Sequence, residues 1–264
     1  MVNLLGKKSY DFNDLMHIVR ILRAPGGCPW DREQTHQSIR RNFLEEVYEA
    51  VEAIDENSTD HLKEELGDVL LQVALHTVME EESGRFTIDD VADGICKKLI
   101  YRHPHVFGDV AATTTGQVLA NWEQLKRKEK GQNSTSDAMD AVSRGLPALW
   151  RAEKIQNKAA RVGFDWDSTA GAMDKLAEET EELAAALSGD GDPVEELGDL
   201  LFAAVNVARF LKTDPEEALH AACHKFALRF RRVEERVAQQ GRQMEQLSLA
   251  ELDAVWEEIK HVSF

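Results

Sequence analysis

A chain of 264 residues can form one large domain or two smaller ones with ample core. Its formal charge of −17 excludes a groove for polymeric nucleic acid, which needs a basic stripe. It does not exclude a small phosphorylated ligand, because a divalent cation can mediate between acidic protein and acidic ligand. Cys28, Cys96 and Cys223 form no Cys-x-x-Cys pair, and the first 20 residues carry Lys7, Lys8, Asp11 and Asp14 instead of a signal peptide. No apolar run approaches the roughly 20 residues of a membrane helix. The expectation is a soluble cytoplasmic protein with reduced thiols and no membrane contact.

Taken in chain order, the periodic segments predict helices. Ahead of the first long helix lies Cys28-Pro29-Trp30-Asp31, read as a loop pinned by a buried Trp and capped by Asp. A helix is predicted from about Ser38 to Glu56, turning at Asn57-Ser58-Thr59-Asp60, where Ser58 or Thr59 can cap the next helix. In that next helix Leu62, Leu66, Val69, Leu70 and Val73 form an apolar stripe of helical period. His103-Pro104-His105 reads as a structural or substrate-contacting turn. The polar segment 131–140 reads as a linker between halves at 1–130 and 141–264.

The second half repeats the pattern. Phe164-Asp165-Trp166 is again read as a loop pinned by a buried Trp and capped by Asp. A helix is predicted from about Thr169 to Leu187, ending at Ser188-Gly189-Asp190-Gly191-Asp192. Asp192 then caps a helix that opens on Pro193. There Leu197, Leu201, Ala204, Val205 and Ala208 repeat the apolar offsets. Strand alternation is hard to find, so the fold class is all-α, with two duplicated helical-bundle halves.

The acidic residues carry the chemistry. Glu45-Glu46-Val47-Tyr48-Glu49 precedes Glu65-Leu66-Gly67-Asp68, and Glu178-Glu179-Thr180-Glu181-Glu182 precedes Glu196-Leu197-Gly198-Asp199. Residues three apart on a helix share a face, with Cβ atoms roughly 5–6 Å apart. A short turn brings two such faces together, so each half offers a four-carboxylate cage: Glu46, Glu49, Glu65 and Asp68, then Glu179, Glu182, Glu196 and Asp199. Like charges so placed repel unless a cation lies between them, and hard oxygen ligands suit Mg²⁺. Gly67 and Gly198 sit inside helices, where Gly costs about 1 kcal/mol relative to Ala, which predicts close approach of a neighbouring helix or a ligand.

Basic and aromatic residues follow the acids in the same order twice. Lys98 and Arg102 correspond to Lys225 and Arg229, and Trp122 and Lys126 correspond to Trp256 and Lys260. Arg offers phosphate a planar fork and Lys a point charge. The Trp residues fit either the core or a stacking platform.

Leu44-Glu45-Glu46-Val47-Tyr48-Glu49, Glu65-Leu66-Gly67-Asp68, Arg102-His103-Pro104-His105-Val106-Phe107, Arg161-Val162-Gly163-Phe164-Asp165-Trp166 and Glu196-Leu197-Gly198-Asp199-Leu200-Leu201-Phe202 together resemble the MazG family of nucleoside triphosphate pyrophosphohydrolases. The resemblance covers essentially the whole chain, including the tandem halves. It implies an all-α fold, Mg²⁺ dependence, a homodimer, and hydrolysis of nucleoside triphosphate to monophosphate and pyrophosphate. It also makes the second-half carboxylates the catalytic metal ligands. Lys175, Glu178, Lys225, Arg229, Trp256 and Lys260 then fall at substrate-contacting positions, with Lys98, Arg102, Trp122 and Lys126 their counterparts. Asn42 stands where the second half has Lys175, so the second half is expected to be the better catalyst.

On this reading the general base stays open between Glu178 and an incompletely coordinated member of the cage. Three rivals remain: a narrower pyrophosphatase for one modified or deoxy nucleotide, a carboxylate di-iron bundle, and a non-enzymatic helical interaction module. Asp68 and Asp199 stand where a di-iron bundle wants His, which weighs against iron.

Overall fold

The structure, a computed structural model, describes residues 4–260. Among them are thirteen α-helices, one short 3-10 turn and no strand. The chain divides into two compact units, one ending at Leu125 and the other beginning at Lys126.

The first unit runs α1 (Phe12–Arg23), α2 (Pro29–Glu33), α3 (Arg40–Asp55), α4 (Thr59–Glu82), α5 (Ile88–Arg102), α6 (Pro104–Phe107) and the start of α7 (Thr115–Glu129). Asp11 opens α1 with a capping box, its side chain accepting from the Asp14 N–H while the Asp14 carboxylate accepts from its own. Helices α3 and α4 form an antiparallel pair, and α1 packs against α4. Ser58 stands at the N-cap of α4 but makes no side-chain capping bond. The core gathers Met16 and Val19 from α1 with Ile39 and with Ala74, Leu75, Val78 and Met79 from the C-terminal half of α4. Burial therefore anchors one end of the α3–α4 pair and leaves the acidic end to other uses.

The second unit runs α8 (Thr135–Asp140), α9 (Ala148–Ala160), α10 (Thr169–Leu187), α11 (Pro193–Leu211), α12 (Pro215–Gln239) and α13 (Leu249–Lys260). Helix α10 has the bounds the sequence predicts, and Asp192 caps α11 by accepting from the Val194 N–H, 2.9 Å away. The turn between them uses Gly189 and Gly191 at positive φ, which a side chain adopts only under strain. Small side chains, Ala172, Ala186 and Ala203, are buried in α10 and α11 and let the pair pack closely. A second core joins Val233 and Val237 of α12 to Val255 and Ile259 of α13.

The structure departs from the sequence expectations at several points. The polar segment 131–140 is not irregular throughout: Ser134 and Asp137 form a capping box that starts α8, and Ala138 is buried. The tryptophans of the two short motifs are not buried; Trp30 is 59% exposed, on a helix begun by Pro29, and Trp166 is 40% exposed. Asp165 spends its carboxylate on Arg209 rather than on a helix cap. The apolar stripes lie on helices as read and are covered only in part by the chain itself: Val205 is buried, while Leu66, Leu70, Leu197 and Leu201 are about half exposed. Finally, among the described residues, and apart from the adjoining residues and backbone of its own helix, nothing lies within 4 Å of a Cβ built on Gly67 or Gly198, so of the expected approach by a helix or a ligand the helix is not seen.

Candidate metal centres

The antiparallel pairing of α3 with α4 brings the first acidic set together. One carboxylate oxygen from each of Glu46, Glu49 and Glu65 lies within 4.8 Å of the others. Asp68 stands one turn beyond Glu65, close enough for its charge to bear on both Glu46 and Glu65. Glu65 is 7% exposed, and its Oε2 is buried without a hydrogen-bond partner. Its other oxygen lies 3.2 Å from Nε2 of His61, one turn earlier on α4. Burial pushes the Glu46 carboxyl above its ordinary range, and the charges of Asp68, Glu49 and Glu65 push it further. Burial raises Glu65 in the same way, with Glu49 adding to it.

The pair α10–α11 builds the second set. Glu179, Glu196 and Asp199 each place an oxygen within 4.8 Å of the other two. Glu182, one turn after Glu179, makes a carboxyl–carboxyl contact with it; burial foremost, and then that contact, raise the Glu182 carboxyl. One pairing differs from the first unit, where Asn42 stands at the matching position and Arg41 instead holds Glu45 at 2.7 Å. The ammonium of Lys175 lies 2.7 Å from Oε1 of the buried Glu179 and 2.8 Å from Oε1 of Glu178. Hydrogen bonds to Glu178 and then Glu179 hold Lys175 well above the ordinary lysine range.

These donors fit a hard divalent cation. All are carboxylate oxygens on rigid helices, they repel one another without a counter-charge, and one buried oxygen has no partner in the protein. The absence of sulfur, and of histidine from both clusters, leaves nothing that selects a soft metal.

The basic and aromatic candidates occupy other helices. In the first unit the buried Arg102, at the end of α5, sets its guanidinium 5.7 Å from the centroid of the Trp122 ring on α7. His103 meets the same ring edge-on at 4.9 Å. Lys98 is exposed on α5; Lys126, where the second unit begins, follows Trp122 by one turn of α7. In the second unit Lys225 and Arg229 lie on α12, the first exposed and the second half-buried. Trp256, on α13, packs against Phe226 at 5.2 Å, and Lys260 lies 3.1 Å from Glu257. The structure thus gathers three of the four predicted acids of each unit into one cluster, without Asp68 in the first and Glu182 in the second, and sets the cation–aromatic groups on separate helices.

Sequence reasoning missed His61 beside Glu65, although their spacing of four on one helix was a readable signal. It also missed the stacked rings of His36 and His76, 5.0 Å apart, which tie the segment before α3 to α4. That contact spans 40 residues and leaves no local trace.

Each unit of this all-α chain thus carries one carboxylate cluster, and comparison with known proteins shows the class to which the chain belongs. The sequence model of the MazG nucleotide pyrophosphohydrolase domain matches twice, at residues 34–107 and 168–233. The chain is 46% identical over 249 residues to the nucleoside triphosphate pyrophosphohydrolase/pyrophosphatase MazG of Thermotoga maritima, covering 94% of this chain and 95% of that one. It is 45% identical over 251 residues to the nucleoside triphosphate pyrophosphohydrolase of Escherichia coli K12, covering 93% and 95%. Protein YabN of Bacillus subtilis is 48% identical over 254 residues, 95% of this chain and 52% of that one. The chain belongs to the MazG nucleotide pyrophosphohydrolase family and is an enzyme that hydrolyses phosphoanhydride bonds.

Proposed function

We propose that this protein hydrolyses nucleoside triphosphates to nucleoside monophosphate and pyrophosphate, with Mg²⁺ as cofactor and water attacking at the α–β phosphoanhydride. The observation that carries the reading is the convergence, in each unit, of three carboxylates from two paired helices within 4.8 Å of one another; in the first unit the buried Glu65 Oε2 also has no protein partner. The relatives named as nucleoside triphosphate pyrophosphohydrolases support the substrate class.

The catalytic residues proposed are Glu179, Glu182, Glu196, Asp199, Lys225 and Arg229. Bound Mg²⁺ supplies charge neutralisation at the phosphate oxygens and a lowered water pKa. The four carboxylates hold and orient that cation, fixed by the α10–α11 pairing. Lys225 and Arg229 bind phosphate oxygens and stabilise the charge that grows as the bridging bond breaks. Glu178, 57% exposed and paired with Lys175, or a cage carboxylate, accepts the proton of the attacking water. Trp256 and Lys260 bind the nucleoside end. Glu46, Glu49, Glu65 and Asp68, with Lys98, Arg102, Trp122 and Lys126, form the corresponding first-unit site.

A homodimer working in the cytoplasm completes the reading. Leu44, Val47, Val51 and Ile54 on α3 are at least 40% exposed, as are Leu66 and Leu70 on α4, an apolar surface of the kind that another copy covers. Sedimentation velocity on the full chain tests this; a monomer at micromolar concentration overturns it.

Pyrophosphate release across a nucleotide panel, with and without Mg²⁺, tests the activity. Release that depends on Mg²⁺ for many bases supports a general pyrophosphohydrolase. Turnover confined to one modified or deoxy nucleotide selects the narrower enzyme, and none with any nucleotide leaves an interaction module.

A further inference from the structure

The two clusters differ in the side chain that faces the buried ligand: Lys175 in the second, His61 in the first. In the second, the ammonium of Lys175 sits 2.7 Å from Glu179, the most buried ligand of its set, and 2.8 Å from Glu178. It is a tethered cation whose hold on Glu179 competes with a free cation for that carboxylate. In the first, the position 133 residues earlier is Asn42, which carries no charge. There Glu65 is 93% buried by its 7% exposure, and its Oε2 stands without a partner among Glu46 and Glu49. His61 reaches only the other oxygen of Glu65 and shares itself with Glu56 at 3.5 Å.

We propose that Lys175 makes cation uptake by the second cage conditional on a phosphate ligand, whereas the first cage takes a divalent cation on its own. The inference rests on the metal-cage reading above and assigns it an order of loading. A cation entering the second cage displaces the ammonium from Glu179. That displacement is unfavourable until a triphosphate offers the ammonium another anion. Lys175 lies one helical turn before Glu179, on the same face, so rotation of its side chain exchanges carboxylate for phosphate without moving the helix. Each partner leaves with a counter-charge: the ammonium with phosphate oxygen, the carboxylate with the incoming cation. The first cage has no such exchange to make, and its orphaned oxygen favours permanent occupancy. The chain thus holds one resident cation and one that arrives with substrate.

The test is a titration of the metal-free full-length protein with Mn²⁺, a paramagnetic divalent ion, with free Mn²⁺ counted by electron paramagnetic resonance. Without nucleotide, the expected result is one tight site per chain. A second appears at least about tenfold tighter when a non-hydrolysable triphosphate analogue is added, the scale on which ligand charge tunes such sites. Lys175→Met, with helicity checked by circular dichroism, is expected to show two tight sites without nucleotide. Asn42→Lys is expected to weaken the first site about tenfold. Two equal sites in the nucleotide-free wild type, or a second site unchanged by Lys175→Met, overturns the loading order and leaves the metal-cage reading standing. No bound Mn²⁺ with or without analogue overturns both.

Discussion

Arg209 grips Asp165 across 44 residues with two N–H donors, Nη1 to Oδ2 at 2.9 Å and Nη2 to Oδ1 at 2.5 Å. The same guanidinium donates to Oδ1 of Asn206, and it holds the Asp165 carboxyl below the usual carboxylate range. The loop that enters α10 is thereby fastened to the far end of α11. Asp165→Asn is expected to cost about 1.5–3 kcal/mol, the scale of hydrogen bonds to charged groups, read from urea unfolding. Arg209→Lys keeps the charge but loses the fork and is not expected to restore the stability. An unchanged urea midpoint in both variants refutes the fastening role.

Glu179→Gln and Asp199→Asn, each in a Glu46→Gln background, are expected to lower pyrophosphate release by on the order of 10²-fold or more. Far-ultraviolet circular dichroism is expected to stay unchanged, because both side chains lie on helices held by other contacts. Near-normal turnover rules out the second cage as the catalytic one.

Mg²⁺ is expected to raise the melting temperature of the full chain, reversibly with chelator. A ligand that binds only the folded state stabilises by about 2.7 kcal/mol at a hundredfold excess over its dissociation constant. In Glu65→Gln, which alters the buried ligand, that rise is expected to shrink. The same shift in wild type and variant counts against the first cage.

His36 and His76 bring their Nδ1 atoms to 2.6 Å, and His36 Nε2 lies 2.6 Å from Glu80, itself paired with Arg85. Burial, and then the neighbouring His36, hold His76 below its ordinary value of 6.5. The unfolded chain therefore takes up this proton before the folded one. The contribution is fully present above about pH 6.5 and is lost as the pH falls from there toward the folded value. Melting curves are expected to fall more steeply between about pH 7 and pH 5.5 in wild type than in His76→Gln. Parallel curves refute it.

How much was legible divides along local and distant lines. Asp192-Pro193 after a pair of glycines located the turn between α10 and α11, because capping and φ preferences are properties of single residues. The carboxylate pairs were readable because helical spacing alone puts Glu179 beside Glu182, and Glu196 beside Asp199. Helix α8 was readable too, in Ser134 and Asp137, but the polar composition around it masked the capping box. What stayed hidden depends on which surface meets which. Nothing local pairs Asp165 with Arg209 or His36 with His76. Periodicity marks Leu66 and Leu197 as apolar-face residues without saying whether their own chain covers them, and it does not.

Gly198 sits in α11 and, apart from the adjoining residues and backbone of its own helix, no described atom lies within 4 Å of the place a methyl group would take. The backbone there gives up about 1 kcal/mol of helix propensity with no packing gain inside the chain. Gly198→Ala is accordingly expected to raise the unfolding free energy by up to that amount while slowing turnover, in paired melting and pyrophosphate assays. A variant both firmer and equally fast removes the rationale for the glycine. The enzyme, on this view, keeps a small local weakness beside its acids as clearance for an incoming guest, and a consensus-style stabilisation of the helix trades rate for robustness.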